Sequence, residues 1–177
     1  MLFQFFNTII TYMEEMFMKI LIAAASKTGT ALKCAEMLSE KLGNAKIADL
    51  NKEMPDISNY DMIIIGGSIR AGMLHNKAVR FIKKNAEQLE KKKVAFFICC
   101  ASINDAKDLI ERNVPAQLLK NAVCADCFGG IIDIAKLKGM DKFIINMLKK
   151  ASKDESPKED PRILTENIIA FAEKIMG

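Results

Sequence analysis

Ser26, Lys27, Thr28, Gly29, Thr30 and Ala31 place three hydroxyl side chains within five residues, around a single glycine. Hydroxyl and backbone N–H donors gathered this closely suit an anion, a phosphate above all, and the glycine lets the backbone wrap around it. A second stretch, Gly66, Gly67, Ser68, Ile69, Arg70, Ala71 and Gly72, joins close-approach glycines to one cation. Arg70 suits an anionic group such as a substrate carboxylate, and equally a structural place on the surface. The third stretch, residues 99–104, carries Ala101, Ser102 and Asn104 directly after an apolar run.

The elements that precede these stretches decide what they can do. Residues 20–25 read as a buried strand, and Leu32, Ala35, Leu38 and Leu42 repeat at helical spacing after the hydroxyl turn. A phosphate held there meets the positive end of the helix dipole. An ordinary capped helix after a strand is the competing reading. Further strands are expected over residues 45–50, 61–65, 93–100 and 122–128, with helices over 78–89, 106–112 and 163–175. Residues 51–60, with Pro55, read as a loop. Five apolar strands separated by helices predict an α/β fold: a doubly wound, five-stranded parallel sheet with helices on both faces. Ligands in such sheets bind at the carboxyl ends of the strands, where all three marked stretches fall.

Cysteines stand at positions 34, 99, 100, 124 and 127, an odd number in a chain large enough to need no staples. That usage fits a reducing, cytoplasmic setting. Cys124-Ala-Asp-Cys127 has the spacing of a redox motif, but it lies in a predicted strand, where small buried apolar residues are the simpler reading. Cys99 and Cys100 end another strand and are assigned to packing. His75 is the only histidine, and no metal site is expected. It suits a helix start better than a proton shuttle.

The chain has 177 residues, 50% of them hydrophobic and 27% charged, enough for one well-buried domain. Its net charge of +4 is mild, and its basic residues alternate with acids without interleaved aromatics, so nucleic acid is not an expected partner. The first 17 residues lack the marks of a signal peptide and are too short in their apolar part to span a membrane. They read as an extension, from a start placed too early or an added amphipathic helix, ahead of a domain over residues 18–177. Residues 136–150 are basic and amphipathic, with Phe143, Ile144, Met147 and Leu148 as the apolar set, and suit either sheet covering or peripheral contact with an anionic membrane. A charged linker spans residues 153–161.

Taken with the strand before it, the turn at 26–31 resembles the phosphate loop of the flavodoxin superfamily, and the resemblance extends over residues 18–177. Ala31 stands where the family pattern carries a last hydroxyl. A narrower likeness lies downstream. Tyr60-Asp61, then Gly67 to Gly72 with His75 following, are similar to the flavodoxin-like, menaquinone-dependent protoporphyrinogen dehydrogenases of bacteria. So are Phe128-Gly129-Gly130 with Asp133, and the Asp141 to Ile144 segment. Ala71 replaces the aromatic residue those relatives often carry there.

This resemblance implies FMN as cofactor. Its phosphate would lie on Ser26, Lys27, Thr28, Gly29, Thr30 and Ala31. Its ring would lie between Gly67, Ser68, Ile69, Arg70 and Gly72 on one side and Ala101, Ser102 and Asn104 on the other. It implies oxidation of protoporphyrinogen IX to protoporphyrin IX with a quinone acceptor, with Arg70 as the catalytic candidate. The alternative within the family is a plain electron carrier with a redox-protein partner; such carriers usually present an acidic docking face, and this chain is mildly basic. A phosphorylatable receiver domain is excluded because residues 23–26 carry no acids, and P-loop and dinucleotide-binding glycine patterns are missing.

Overall fold

Ile20–Ala25 forms β1, with all six residues buried. That is the signature of a central strand covered on both faces, and each fully buried aliphatic there contributes about 1.5–3 kcal/mol. The computed structural model describes residues 18–43, 45–130 and 162–177. The expectations for residues 1–17, 136–150 and 153–161 lie outside them.

After β1 come α1 (Thr30–Lys41), β2 (Lys46–Asp49), β3 (Met62–Arg70) and β4 (Met73–Leu74). Then follow α2 (Asn76–Lys84), α3 (Ala86–Leu89), β5 (Lys93–Cys99), α4 (Ala106–Asn113), α5 (Ala116–Lys120), β6 (Ala125–Cys127) and α6 (Thr165–Met176). The sheet order is β2-β1-β3-β5-β6, parallel throughout, with β4 antiparallel on the end of β3. Counting only the parallel strands, this is the doubly wound order 2-1-3-4-5. The chain reverses direction across the sheet between β1 and β3, and that switch point opens a crevice at the strands' carboxyl ends.

Two apolar layers cover the sheet. On one face Ala31, Cys34, Ala35 and Leu38 of α1 pack with Ile168, Phe171, Ala172 and Ile175 of α6. On the other, Phe81 and Ile82 of α2 pack with Leu109 and Ile110 of α4 and Leu118 of α5. Among the described residues no helix is long and apolar enough to cross a membrane.

Three boundaries differ from the sequence expectation. The third strand does not stop at its glycines but runs on to Arg70 and folds back as β4. Gly66 and Gly67 stay in the strand because each gives up its Cβ to a neighbour: the Phe97 ring crosses Gly66 on one face, and Leu74 reaches over Gly67 on the other. The helix expected over 78–89 is interrupted at Asn85, whose buried amide donates back to the Phe81 carbonyl at 2.9 Å and separates α2 from α3. The last strand shortens to three residues, and α5 precedes it where no helix is expected.

Candidate functional site

Ala25, Gly67, Ile98 and Cys127 lie abreast across β1, β3, β5 and β6. Everything immediately beyond that row leaves the same edge of the sheet. The hydroxyl turn, the end of β3 with its hairpin, and the 100–105 loop therefore converge, as the sequence reading expects of strand ends in a parallel sheet.

The turn after β1 is built around Ser26. Its side chain is buried, and Oγ accepts from the N–H of Gly29 at 3.0 Å and of Ala31 at 3.2 Å. With both contacts accepting, the group Ser26 has left for a ligand is its O–H proton. Gly29 caps α1 with φ of 94°, in the left-handed region that side chains avoid. Nothing lies within 4 Å of where its Cβ would stand, so the turn opens outward. Thr28 and Thr30 are half-buried and Lys27 is exposed. Asn51 fixes the turn from the side, its amide donating to the Ser26 carbonyl at 2.9 Å. Sequence reading placed Asn51 only in a loop, because its bond spans 25 residues.

The hairpin leaves the same edge of the sheet. Ala71 and Gly72 both have positive φ, 47° and 77°, the backbone of a two-residue type I′ turn. Arg70 pairs directly with Met73 across it, so both side chains stand on one face, and both are exposed. Ser68 and Ile69 are half-buried, and the Ser68 carbonyl accepts from His75 N–H at 3.0 Å. His75 is the N-cap of α2: Nδ1 accepts from Lys77 N–H at 3.3 Å. Burial and then the Lys77 charge push its pKa below the ordinary value, in keeping with an imidazole used as an acceptor.

Asn113, at the end of α4, holds this hairpin and has no signal in the local sequence. Its Oδ1 accepts from Leu74 N–H at 2.8 Å, and its Nδ2 donates to the Gly72 carbonyl at 2.9 Å and to the Leu109 carbonyl at 2.8 Å. Asn113→Ala is expected to lower stability by about 1–3 kcal/mol, since it leaves a part-buried N–H and a carbonyl without partners. A urea titration should show a lower midpoint with an unchanged slope.

Ala101, Ser102 and Asn104 lie on the 100–105 loop, all exposed. Ser102 Oγ donates to Asp105 at 2.8 Å and stiffens the approach to α4. Asn104 also lines a cavity of about 430 Å³ beside β6, with Ile103, Lys107, Asp126, Cys127 and Asn167. The redox-motif pair does not meet. Cys124 stands just before β6 and Cys127 ends it, and the two serve opposite faces of the sheet: Cys124 packs with one apolar layer and Cys127 with the other.

Comparison with known proteins follows the same line. A family model described as Flavodoxin domain matches residues 21–159. The protoporphyrinogen IX dehydrogenase (quinone) of Escherichia coli strain K12 is 28% identical over 176 residues, covering 89% of this chain and 94% of that relative. Among solved structures, a Fusobacterium nucleatum flavodoxin bound to flavin mononucleotide is similar at 12% identity and TM-score 0.49, covering 90% of this chain and 98% of the other. Oxidised flavodoxin 1 of Bacillus cereus is similar at 16% identity and TM-score 0.48, covering 89% and 97%.

FMN is the cofactor a flavodoxin domain implies, and the donors present fit it. The Thr28 and Thr30 hydroxyls, with the N–H groups of the turn that Ser26 Oγ does not take, would suit a phosphate at a helix start, and the hairpin and the 100–105 loop leave the same sheet edge, where a flat ring would lie. With the family model covering most of its length and the strand order the fold requires, the chain belongs to the flavodoxin domain family.

Proposed function

We propose that this chain is an FMN-dependent oxidoreductase that oxidises protoporphyrinogen IX and passes the electrons to a quinone. The observation that carries the reading is the likeness to a quinone-linked protoporphyrinogen IX dehydrogenase, which runs over nearly the whole of both chains. The described geometry supports it at the hairpin tip, where a guanidinium and an apolar thioether share one face. A tetrapyrrole with propionate groups is itself a flat apolar body with carboxylates at its edge.

When bound, FMN would supply oxidation in two-electron steps, three of which take the six electrons and six protons that separate a porphyrinogen from its porphyrin, each pair of electrons being returned to an acceptor before the next step. The chain's own residues bind and orient. The Thr28 and Thr30 hydroxyls and the turn's N–H groups would hold the phosphate. Gly67 to Gly72 and Ala101 to Asn104 flank the ring, and the Asn113 bonds keep the Gly72 carbonyl in a fixed direction. Arg70 pairs with a substrate carboxylate in the fork geometry guanidinium favours, and Met73 gives the ring edge an apolar contact. The lysines of residues 136–150 suit an anionic membrane surface, where quinones dissolve.

The test is anaerobic mixing of the FMN-loaded full chain with protoporphyrinogen and a menaquinone-type acceptor, followed by porphyrin fluorescence. Porphyrin formation well above an FMN-only blank is expected. Formation no faster than that blank, together with rapid reduction by a flavodoxin reductase, makes the protein an electron carrier instead. Arg70→Ala is expected to lower kcat/KM for the porphyrinogen about tenfold, the lower end of what a charged hydrogen bond contributes, while FMN affinity changes less than about twofold. Equal losses in both would move Arg70 from the substrate to the cofactor.

A further inference from the structure

Cys100 and Cys127 come together although 27 residues separate them. Their Sγ atoms are 3.4 Å apart, at the carboxyl ends of adjacent strands β5 and β6. We propose that Cys100 and Cys127 are a reversible disulfide site, oxidised by hydrogen peroxide or a related small peroxide and reset by a dithiol.

The surroundings of the two sulfurs differ, and that difference assigns their roles. Cys127 Sγ accepts from Gly129 N–H at 3.3 Å; either sulfur can donate across the Cys100–Cys127 contact, and we assign the proton to Cys100, which has a second acceptor. Both contacts favour a thiolate, and the Cys100 hydrogen bond, with the Gly129 N–H adding to it, holds the Cys127 pKa below the ordinary thiol value. Cys100 is the protonated partner: its single S–H has two acceptors within reach, Cys127 Sγ and the Ser102 carbonyl at 3.3 Å, and the Cys127 contact followed by burial pushes its pKa up. Cys127 is only 2% exposed, but it lines the 430 Å³ cavity beside β6 together with Lys107 and Asn104, and that cavity is its route to solvent. A peroxide is small enough to follow that path.

The chemistry balances. The Cys127 thiolate attacks one peroxide oxygen, the O–O bond breaks, and hydroxide leaves with the proton of the original thiol to make water. The resulting Cys127 sulfenic acid is attacked by the Cys100 sulfur. The S–S bond forms, and the sulfenic oxygen departs with the Cys100 proton as a second water. Two thiols lose two electrons and one peroxide gains them. The sulfurs close from 3.4 Å to a bond of about 2.05 Å, a shift of little more than one ångström at the hinge of the 100–105 loop. Gly130 keeps the partners near each other, its Cβ position lying 2.9 Å from the Cys100 carbonyl.

The molecule holds its own control. Cys34 and Cys99 also approach, at 3.7 Å, and are about as buried as Cys127, but neither lines the cavity beside β6, and Cys99 is held strongly protonated. The experiment treats the purified full chain with a modest excess of hydrogen peroxide, alkylates remaining thiols in denaturant, and digests with trypsin without reductant. Cleavage at lysines puts Cys100 in residues 94–107, Cys127 in 121–136 and Cys34 in 34–41, so fragmentation can tell the pairs apart.

A Cys100–Cys127 bridge that disappears after dithiothreitol is expected, with Cys34, Cys99 and Cys124 alkylated. In Cys100→Ser the expected product is Cys127 sulfenic acid or its further oxides. In Cys124→Ser, which leaves the pair untouched, the bridge should form as before. A Cys34–Cys99 bridge, a Cys124–Cys127 bridge, or Cys127 recovered fully alkylated after peroxide treatment would each overturn the proposal.

Discussion

Replacing Thr28 and Thr30 together with alanine is expected to weaken FMN binding by about two to four powers of ten. Two hydrogen bonds to a dianionic phosphate contribute about 1.5–3 kcal/mol each, or about 3–6 kcal/mol together, and each 1.4 kcal/mol is a factor of about ten. Both threonines are half-buried at the outward side of the turn, whereas Ser26 Oγ is engaged with Gly29 and Ala31. The double variant therefore removes the proposed phosphate contacts and leaves the turn's own bonds in place. Fluorescence-quenching titration of the apoprotein measures the loss, and riboflavin, which lacks the phosphate, supplies the comparison. Riboflavin affinity should change little. If FMN affinity were unchanged, or if riboflavin lost as much as FMN, the phosphate would have to lie elsewhere.

That turn was legible in the sequence because its signals are local. Residues 20–25 form an unbroken apolar run, Gly29 stands at the one left-handed position of the turn, and the helical spacing begins directly after it. That the sheet is parallel follows from alternation, since parallel neighbours must be joined by crossovers, which the helices between the strands supply. What stayed hidden depends on residues far apart in the chain. Gly66 and Gly67 read as a strand terminator in isolation, but Phe97 and Leu74 occupy the space above them and keep the strand going. Asn113 looks like any helix-end asparagine until the hairpin, 39 to 41 residues earlier, is brought to it. Spacing along the chain pointed to Cys124 and Cys127, but strand geometry sets those two apart and pairs Cys127 with Cys100. Arg70 stands out in the sequence by its charge and by the resemblance of the stretch around it; the apolar Met73 that shares its face is visible only with the type I′ turn.

Gly66→Ala tests the least local of these features, and it should destabilise the protein by about 1–3 kcal/mol, near the top of that range. A methyl group at position 66 would stand inside van der Waals contact of the Phe97 ring. The ring has no retreat. Its other face stacks on Phe128, with centroids 4.6 Å apart and planes 12° from parallel, and Phe128 in turn meets Phe171 edge-on at 5.1 Å. All three rings are almost wholly buried, so the strain passes from β3 through β5 to α6 instead of dissipating at the surface. Chemical denaturation should show a lower midpoint, and FMN affinity should fall with it because Gly66 lies two residues before the half-buried Ser68 of the ring-facing wall. Phe97→Leu alone costs stability by leaving space beside Gly66. Combined with Gly66→Ala, it supplies the room the methyl needs, so the double variant should be clearly more stable than the sum of the two single losses predicts. Simple additivity would mean that the ring is free to move and that Gly66 is required for some other reason. Recovery in the double variant would establish that this glycine is in the sheet to admit one aromatic ring, and that β3 reaches the crevice only because it is there.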